Sequence, residues 1–331
     1  MGLFSRLMCS WVMLCLAVGT AEAISRDKIA LVAPANHHAI VHRIEAALYA
    51  SGTEHPNVIW VDPDKIREYH LDRICDCNED LALVVAIGPK ATRAMLEVTK
   101  VAPILSTLVY KSTFEDILCE FDLSLENNRS ISAVYLDQPF MRSLQLANLL
   151  IPKDSKQRRV GVVLGPSSSL ELQKYQVEAN LLGIQLNAVV VNNDANPVVA
   201  LNHVLDDSDV LLAIPDEHVF SSQTARGMLL TAYRKHVPVA AYSQTYVKMG
   251  ALSALYVTPK QVANQIAKSI NDFLSGETRR LPAPQMASQF SVTVNSHVAQ
   301  LLKRGILSET ILKQQIDARE SGNDYIGNAA T

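Results

Sequence analysis

Short apolar runs alternate with segments of helical periodicity along most of the chain. Residues 81–87 (LALVVAI) are apolar at every position, which is typical of a parallel strand covered on both faces. In residues 39–49 the apolar side chains recur every three or four positions, as on the buried side of a helix. Alternation of the two patterns predicts an α/β protein with parallel sheets and right-handed crossover connections.

The alternation forms two series followed by a few extra elements. In the first series, strands are predicted at residues 28–33, 58–61, 81–87 and 103–109, and helices at 39–49, 63–73 and 91–98. In the second series, strands are predicted at 129–135, 159–164, 184–191, 210–214 and 237–242, and helices at 139–150, 167–182, 197–205 and 221–236. After them come strands at 252–257 and 290–294 and helices at 259–274, 295–303 and 308–318.

Two series of similar size, with elements left over at the end, predict two Rossmann-like lobes linked by several chain crossings. The expected division is residues 24–130 plus about 258–284 for lobe 1, residues 131–257 plus about 285–318 for lobe 2, and a frayed tail at 319–331. Open α/β sheets bind ligands beyond the carboxyl ends of their strands. Two such ends facing each other would form a cleft that closes by hinge motion.

Residues 1–23 have the pattern of a secretory signal peptide. Arg6 precedes an apolar run at residues 7–18, and Ala21 and Ala23 are small residues at the two positions that signal peptidase recognises. The run is too short to span about 30 Å of hydrocarbon comfortably, so we expect cleavage near Ala23, with an uncleaved anchor as the alternative. The mature protein is therefore expected in the periplasm.

Composition narrows the function classes further. The chain of 331 residues is 48% hydrophobic, has 30 Lys and Arg against 33 Asp and Glu, and carries a net charge of −3. It is apolar enough to bury large cores. It lacks the basic excess that binding to nucleic acid requires, so we expect no nucleic-acid partner.

Three cysteines follow the signal segment, namely Cys75, Cys77 and Cys119. Cys75 and Cys77 are too close in sequence for an easy disulfide, whereas Cys119 could pair with either of them. Free or locally bridged structural thiols are the expectation.

Candidate ligand-binding residues are the polar and aromatic side chains that follow predicted strands. They are Asn36, His37, Lys90, Thr92, Tyr110, Tyr135, Gln138, Ser167, Ser168, Asp216, Tyr242, Ser243 and Tyr246. Because parallel strands place their carboxyl ends at one edge of a sheet, we expect these residues to face the cleft.

Three of these features have both a ligand-binding and a structural interpretation. The turn at residues 165–169 (GPSSS) offers free backbone N–H groups and serine hydroxyls to a carboxylate, or Ser167 simply caps its helix. Asp216 could hold an ammonium group and, with the serine turn, clamp a zwitterion, or it could be a helix cap. Tyr242 and Tyr246 could sandwich an apolar or ring-bearing ligand or pack at the lobe hinge.

Other chemistry has weaker support in the sequence. His38 and His42 share a helix face near His37, but the further ligands that zinc needs are not fixed by sequence. A solvated or cleft-lining histidine cluster is the expectation, and no metal is assigned. The sequence contains no nucleophile elbow, no Gly-rich phosphate loop and no defensible nucleophile–base pair. We therefore expect no enzymatic activity and no cofactor.

Five segments carry a resemblance to a known family. They are residues 132–140 (SAVYLDQPF), 158–168 (RRVGVVLGPSS), 211–220 (LLAIPDEHVF), 229–267 (LLTAYRKHVPVAAYSQTYVKMGALSALYVTPKQVANQIA) and 290–295 (FSVTVN). Together they resemble the exported solute-binding proteins of ABC importers, in the subgroup related to tryptophan-type and similar small-solute binders. The resemblance implies a type I periplasmic-binding-protein fold, with two Rossmann-like lobes, three crossings and a ligand between them.

The sequence thus predicts a periplasmic, monomeric solute-binding protein that captures a small organic molecule by closing two lobes. Carboxylate-bearing and amino-acid-like solutes are the candidates, and the expected partner is an ABC permease in the inner membrane. The alternative is a ligand-sensing or scaffold protein on the same fold that acts with a membrane receptor. The first lobe motivates this alternative, because it matches the family in element order more than in motif.

Overall fold

The computed structural model describes residues 28–50, 56–66, 81–98, 102–125, 130–153, 155–192, 195–276, 279–303, 305 and 308–327. The predicted signal segment, Cys75, Cys77 and the end of the predicted tail lie outside these residues. Most of the helix predicted at residues 63–73 also lies outside, and its start is a short 3₁₀ helix at Pro63–Lys65. None of the helices in the described ranges has the length and apolar character needed to span a membrane.

The first lobe is built around a five-stranded parallel sheet. Its strands are β1 (Lys28–Val32), β2 (Asn57–Val61), β3 (Leu81–Ile87), β4 (Ile104–Val109) and β5 (Ile131–Tyr135), in the spatial order β2-β1-β3-β4-β5. Its helices are α1 (His38–Ala50), α2 (Pro89–Val98) and α3 (Lys111–Glu120). The central strands β1 and β3 are almost wholly buried, as the apolar sequences of β3 and of β1 after Lys28 predict.

The second lobe is built around a six-stranded sheet. Its strands are β6 (Arg159–Leu164), β7 (Gln185–Val190), β8 (Val210–Leu212), β9 (Val239–Ala241), β10 (Ser253–Tyr256) and β11 (Ser291–Val294). Its helices are α4 (Phe140–Leu150), α5 (Pro166–Ser169), α6 (Leu172–Leu181), α7 (Pro197–Asp206), α8 (Ala225–Arg234), α9 (Gln244–Met249), α11 (Ser296–Leu301) and α12 (Glu309–Gly327). All its strand pairs are parallel except β10 with β11, because the chain re-enters this lobe in the opposite direction before β11.

The chain passes between the lobes three times. It leaves the first sheet after β5 and enters the second core at α4, which buries Phe140 and Leu144 there. It returns after β10 into α10 (Pro259–Ser275), whose Val262 and Ile266 pack in the core of the first lobe. It crosses again before β11, where Gln285 forms a parallel bridge with Val134. The predicted fold of two Rossmann-like lobes with three crossings is therefore confirmed.

The predicted lobe boundary at residue 131 is wrong by the length of one strand. β5 pairs with β4 at the edge of the first sheet, so the first crossing begins after Tyr135. The physical reason is α3, a helix that the sequence analysis did not identify. With α3 in place, β4, α3 and β5 form one ordinary β–α–β unit of the first lobe.

The helix predicted at residues 167–182 is in fact two helices. α5 ends at Ser169 and α6 begins at Leu172, and Leu170 and Glu171 form a turn between them. The turn brings Glu171 to the edge of the second lobe, where it contacts the first lobe. The short α9 is a further helix that the sequence analysis missed, because six residues are too few to show a helical period.

Candidate ligand-binding cleft

A cavity of about 350 Å³ lies between the carboxyl ends of the two sheets. The first lobe contributes the residues around the start of α3, and the second lobe contributes the loops that follow β8 and β9. The lining residues are Tyr110, Ser112, Thr113, Pro215, Asp216, Glu217, Phe220, Ser221, Ser222 and Tyr242. A site shared by the carboxyl ends of two open α/β sheets is where this architecture is expected to hold a ligand.

Tyr110 reaches the cavity because β4 is irregular at its end. The register with β5 shifts between Thr107 and Val109, and Leu108 between them has a φ of 53°. A positive φ is uncommon for leucine, and bulges of this kind redirect the side chains that follow them. Tyr110 then meets Tyr242 of the other lobe edge to face, with ring centroids 5.7 Å apart.

The aromatic side chains of the second lobe are held by one backbone carbonyl. Tyr246 donates its hydroxyl hydrogen to Phe220 O at 2.8 Å, and Tyr242 donates to the Tyr246 hydroxyl at 2.9 Å. The ring centroids of Tyr242 and Tyr246 are 4.8 Å apart, so no ligand ring fits between them. The predicted sandwich is therefore wrong: Tyr246 is buried and positions Tyr242, which alone of the pair lines the cavity.

Asp216 accepts hydrogen bonds from the serine turn of its own lobe. Its Oδ2 accepts from Gly165 N–H at 3.0 Å, from the Ser168 hydroxyl at 2.6 Å and from Ser168 N–H at 3.4 Å. Its Oδ1 accepts from His218 N–H at 3.0 Å. The turn is thus an anion seat, as predicted, but its occupant is a carboxylate of the protein. The zwitterion clamp predicted from Asp216 and the serine turn is wrong, because the two groups bind each other.

Gly165 makes the close approach of the carboxylate possible. A Cβ atom placed on this residue would lie 2.4 Å from Asp216 Oδ1 and 2.6 Å from Oδ2, far inside van der Waals contact. The backbone at Gly165 is extended, with φ −88° and ψ −172°, so the requirement for glycine is one of space.

Polar contacts join the lobes beside the cavity. Lys111 at the start of α3 forms an ion pair with Glu171 between α5 and α6, and Thr113 donates its hydroxyl hydrogen to Glu217 Oε1 at 3.2 Å. Burial opposes the charge on Lys111 and Glu171, but the hydrogen bond between them and the attraction of nearby opposite charges together outweigh it. The pKa of Lys111 is therefore raised and the pKa of Glu171 lowered.

Asp137 lies in the first crossing and contacts the start of α3. Its Oδ2 accepts a hydrogen bond from Lys111 N–H at 2.7 Å. Burial raises the pKa of the Asp137 carboxyl to about 6, although backbone hydrogen bonds and the Lys111 ammonium oppose the rise. Burial also raises the pKa of Tyr110 and of Tyr242, so both phenols stay protonated at neutral pH.

Two predicted site residues near β3 have structural roles. Thr92 is fully buried, and its hydroxyl donates to Gly88 O at 3.1 Å and lies 3.2 Å from Ser106 Oγ. It therefore lies in the core of the first lobe and not in the cleft. Lys90 is exposed and forms an ion pair with Asp64 at 2.6 Å.

Two further predicted residues belong to the crossings. Tyr135 is buried at the end of β5, where its ring packs edge to face with Phe114 at 5.8 Å. Gln138 lies just beyond, accepts a hydrogen bond from Arg142 at 2.7 Å and donates to Gln289 O at 3.3 Å. Both residues hold the region between the lobes and do not line the cavity.

The remaining predicted residues lie near strand ends but outside the cavity. Asn36 is exposed, and His37 packs its ring against Gly88, where an added Cβ would lie 3.3 Å from His37 Cε1. Ser167 and Ser243 are half-buried, and Ser243 precedes α9 without a side-chain capping bond.

The histidines at the start of α1 pack with an aromatic neighbour. The His38 ring lies 4.2 Å from the Trp60 ring and 6.1 Å from the His42 ring, and His42 Nδ1 lies 3.2 Å from Glu45. Among the residues with described positions, no three His, Cys, Asp or Glu side chains are grouped to hold a metal ion.

Of the predicted site residues, the structure brings five together: Tyr110, Ser168, Asp216, Tyr242 and Tyr246. The cavity residues that were not among the predictions are Ser112, Thr113, Pro215, Glu217, Ser221 and Ser222. Ser112 and Thr113 carry a signal that could have identified them, because these two hydroxyl residues come two and three positions after Tyr110, at a strand end.

Two lobes with mostly parallel sheets, three crossings and a cavity between the carboxyl ends of the sheets define the fold of the type I periplasmic binding proteins. A family model of ABC transporter substrate binding proteins matches residues 28–318. The chain therefore belongs to this family, and the resemblance in the sequence is confirmed.

Three solved structures are similar over nearly their whole length. A ligand-free, open substrate binding protein with adhesive properties from Clostridium difficile has a TM-score of 0.63 and 18% identity, covering 85% of this chain and 96% of that one. A conserved domain protein from Vibrio cholerae O1 biovar El Tor has a TM-score of 0.56 and 20% identity, and the match covers 87% of this chain and 98% of that one. The ABC domain in complex with L-Trp from Streptococcus pneumonia has a TM-score of 0.55 and 13% identity, and the match covers 87% of this chain and 98% of that one. At these identities the similarity shows the fold alone, and no curated protein matches the chain.

Proposed function

We propose that the protein is an exported solute-binding protein that captures a small organic molecule between its lobes and delivers it to an ABC permease. The observation that carries the proposal is the cavity of about 350 Å³ lined from both lobes. Its size is at the lower end of the range for small-molecule sites. A ligand that contacts both lobes binds the closed form better than the open form, and only such differential binding shifts the balance between them.

Binding and closure are tested together on the mature protein. A panel of amino acids, amines, organic acids and neutral metabolites is screened for a rise in the melting temperature, and each hit is followed by small-angle scattering. We expect a hit to raise the melting temperature and to reduce the radius of gyration. A folded protein that responds to no member of the panel would contradict the proposal.

The partner is tested separately from the ligand. With its cognate permease in proteoliposomes, the loaded protein is expected to stimulate ATP hydrolysis and solute uptake. Binding without stimulation of the permease would favour the alternative, in which the closed form acts on a membrane receptor.

A further inference from the structure

We propose that the captured solute is an organic cation, with a protonated amine or quaternary ammonium group on an apolar or aromatic body. The inference rests on the proposed solute-binding function and names the chemical class of the ligand. Three features of the cleft carry it: the charges of the lining, the occupied anion seat and the aromatic rings.

The charged side chains in the cavity lining are both acidic. They are Asp216 and Glu217, and the other lining residues are neutral. Asp116 of α3 lies close to both, and its pKa is raised by partial burial and then by Glu217. A cavity lined by charges of one sign attracts solutes of the opposite sign.

The neighbouring bases are engaged elsewhere. Lys111 pairs with Glu171 and has Glu115 3.8 Å away. Arg93 forms two hydrogen bonds with Glu120, at 2.8 and 2.9 Å. His218 lies near Asp116 but is exposed and is not part of the lining. An anionic solute would therefore meet carboxylates, and none of the lining residues that the structure describes is a lysine or arginine that could neutralise it.

The place where a solute carboxylate would bind is already filled. The N–H groups of Gly165 and Ser168 and the Ser168 hydroxyl all donate to Asp216. A carboxylate solute would have to displace a buried, four-fold hydrogen-bonded side chain. Removing a partner from such a network leaves unsatisfied groups, which is unfavourable.

The aromatic side chains of the lining provide a second attraction for a cation, in addition to the acidic charges. Tyr110 comes from the first lobe, and Phe220 and Tyr242 come from the second. The faces of aromatic rings attract ammonium groups, most strongly where water is excluded. Because rings from both lobes meet here, such an ion contacts both lobes only when the cleft is closed, and its binding favours closure.

A charge series on one skeleton tests the inference. The mature protein is titrated by calorimetry with phenethylamine, phenylalanine and 3-phenylpropionate, and with choline as a cation without an aromatic ring. The same solutes are included in a wider panel with equal numbers of cations, zwitterions, anions and neutral molecules. We expect the tightest ligand to be a cation, bound at least tenfold more tightly than the zwitterion or anion of the same skeleton.

The outcomes separate this inference from the proposed function. A tightest ligand that is zwitterionic, anionic or neutral overturns the cation inference and leaves solute binding in place. A panel without any ligand contradicts solute binding itself.

Matched variants locate the cation. With the tightest cation, Tyr110→Leu is expected to weaken binding about two- to thirty-fold, and Tyr110→Phe to retain it. Glu217→Gln is expected to weaken binding about two- to five-fold, whereas Glu97→Gln, at an exposed position of α2 outside the cavity, leaves it unchanged. Equal binding by Tyr110→Leu and Tyr110→Phe would overturn the assignment of the ring.

Discussion

At the scale of single residues, the donors of the serine turn are used within the protein. Backbone N–H groups of Gly165, Ser168 and His218 and one serine hydroxyl converge on Asp216, which is 4% exposed. Hydrogen bonds to an ionised acceptor are stronger than those between neutral groups. Asp216 therefore fixes the loop after β8 against the loop after β6, at the floor of the cavity.

Removing this carboxylate takes away the acceptor of the Ser168 and His218 N–H groups, whereas Gly165 N–H keeps Ser168 Oγ at 3.0 Å. We predict that Asp216→Ala lowers the free energy of unfolding by about 2–4 kcal/mol in chemical denaturation. Asp216→Asn keeps one acceptor oxygen, so it is expected to lower the free energy of unfolding by less than Asp216→Ala does. Equal losses for the two variants would show that the hydrogen bonds contribute little.

The glycine beneath Asp216 provides a second prediction at this scale. We predict that Gly165→Ala lowers the free energy of unfolding by about 1–3 kcal/mol, because the new Cβ would overlap Asp216. Gly227→Ala in α8 is the matched control, since its Cβ would lie 3.5 Å from Val198 in ordinary contact. That change is expected to raise the stability by about 0.5–1 kcal/mol, as alanine favours helix. Thermal unfolding of both variants measures the contrast.

At the scale of elements, helix starts differ in how well they are capped. Thr258 accepts from Gln261 N–H at 3.3 Å, and Gln261 Oε1 accepts from Thr258 N–H at 2.8 Å, which is a complete capping box at the start of α10. Ser243 occupies the same position before α9 but makes no side-chain capping bond.

The two caps make a matched pair of variants. We predict that Thr258→Ala lowers the free energy of unfolding by about 1 kcal/mol, and that Ser243→Ala changes it by less than half as much. Urea denaturation measures both. A loss at Ser243 as large as at Thr258 would contradict the assignment of the caps.

The elements that the sequence predicts well are those with long, regular patterns. β3 is a fully apolar run, β1 is apolar after Lys28, and the two strands are neighbours inside the first sheet. α3 was missed, although Phe114, Ile117 and Leu118 lie on its buried side at helical spacing and carried the signal. Because α3 was not predicted, the lobe boundary was placed too early, and Ser112 and Thr113 were left out of the predicted site.

The candidate site was predictable only in part. A polar residue after a strand end is visible in the sequence, and Tyr110, Asp216 and Tyr242 were found in this way. The hydrogen bonds of Asp216 depend on the contact between its own loop and the loop at Gly165, which is 51 residues earlier in the chain. A local sequence pattern does not show that these two loops meet. The burial of Thr92 has the same origin, because its cover comes from a neighbouring strand.

At the scale of the whole molecule, the ion pair between Lys111 and Glu171 joins the lobes. We predict that Lys111→Met shifts the balance toward the open form about two- to five-fold, because the pair is only partly buried. Small-angle scattering of the ligand-free protein is expected to show a larger radius of gyration. Lys268→Met is the control, since it removes an exposed pair within α10. An equal change in both variants would contradict the role of the pair in closure.

Asp137 in the first crossing makes stability depend on pH. Its pKa is raised from 3.8 to about 6, so the folded state keeps a proton that the unfolded state releases between pH 4 and 6. The protonated Asp137 carboxyl contributes its full stabilisation of the folded state below pH 4, and this contribution is lost as the pH rises through 6. We predict that, as the pH rises from 4 to 7, the free energy of unfolding of Asp137→Asn increases by about 2–3 kcal/mol relative to that of the wild type. Urea unfolding at several pH values measures this, and parallel pH profiles would contradict it.

The bridge at Gln285 has a mechanical consequence. Gln285 N–H donates to Ala133 O and its carbonyl accepts from Tyr135 N–H, each at 2.8 Å, and Ala287 N–H donates to Asp137 O at 3.0 Å. Two strands of backbone therefore leave the first sheet side by side, like a flat strap. A pair of hydrogen-bonded backbone segments bends more easily than it twists, so we expect the lobes to move in one plane and to restore the contact between Tyr110 and Tyr242 on closure.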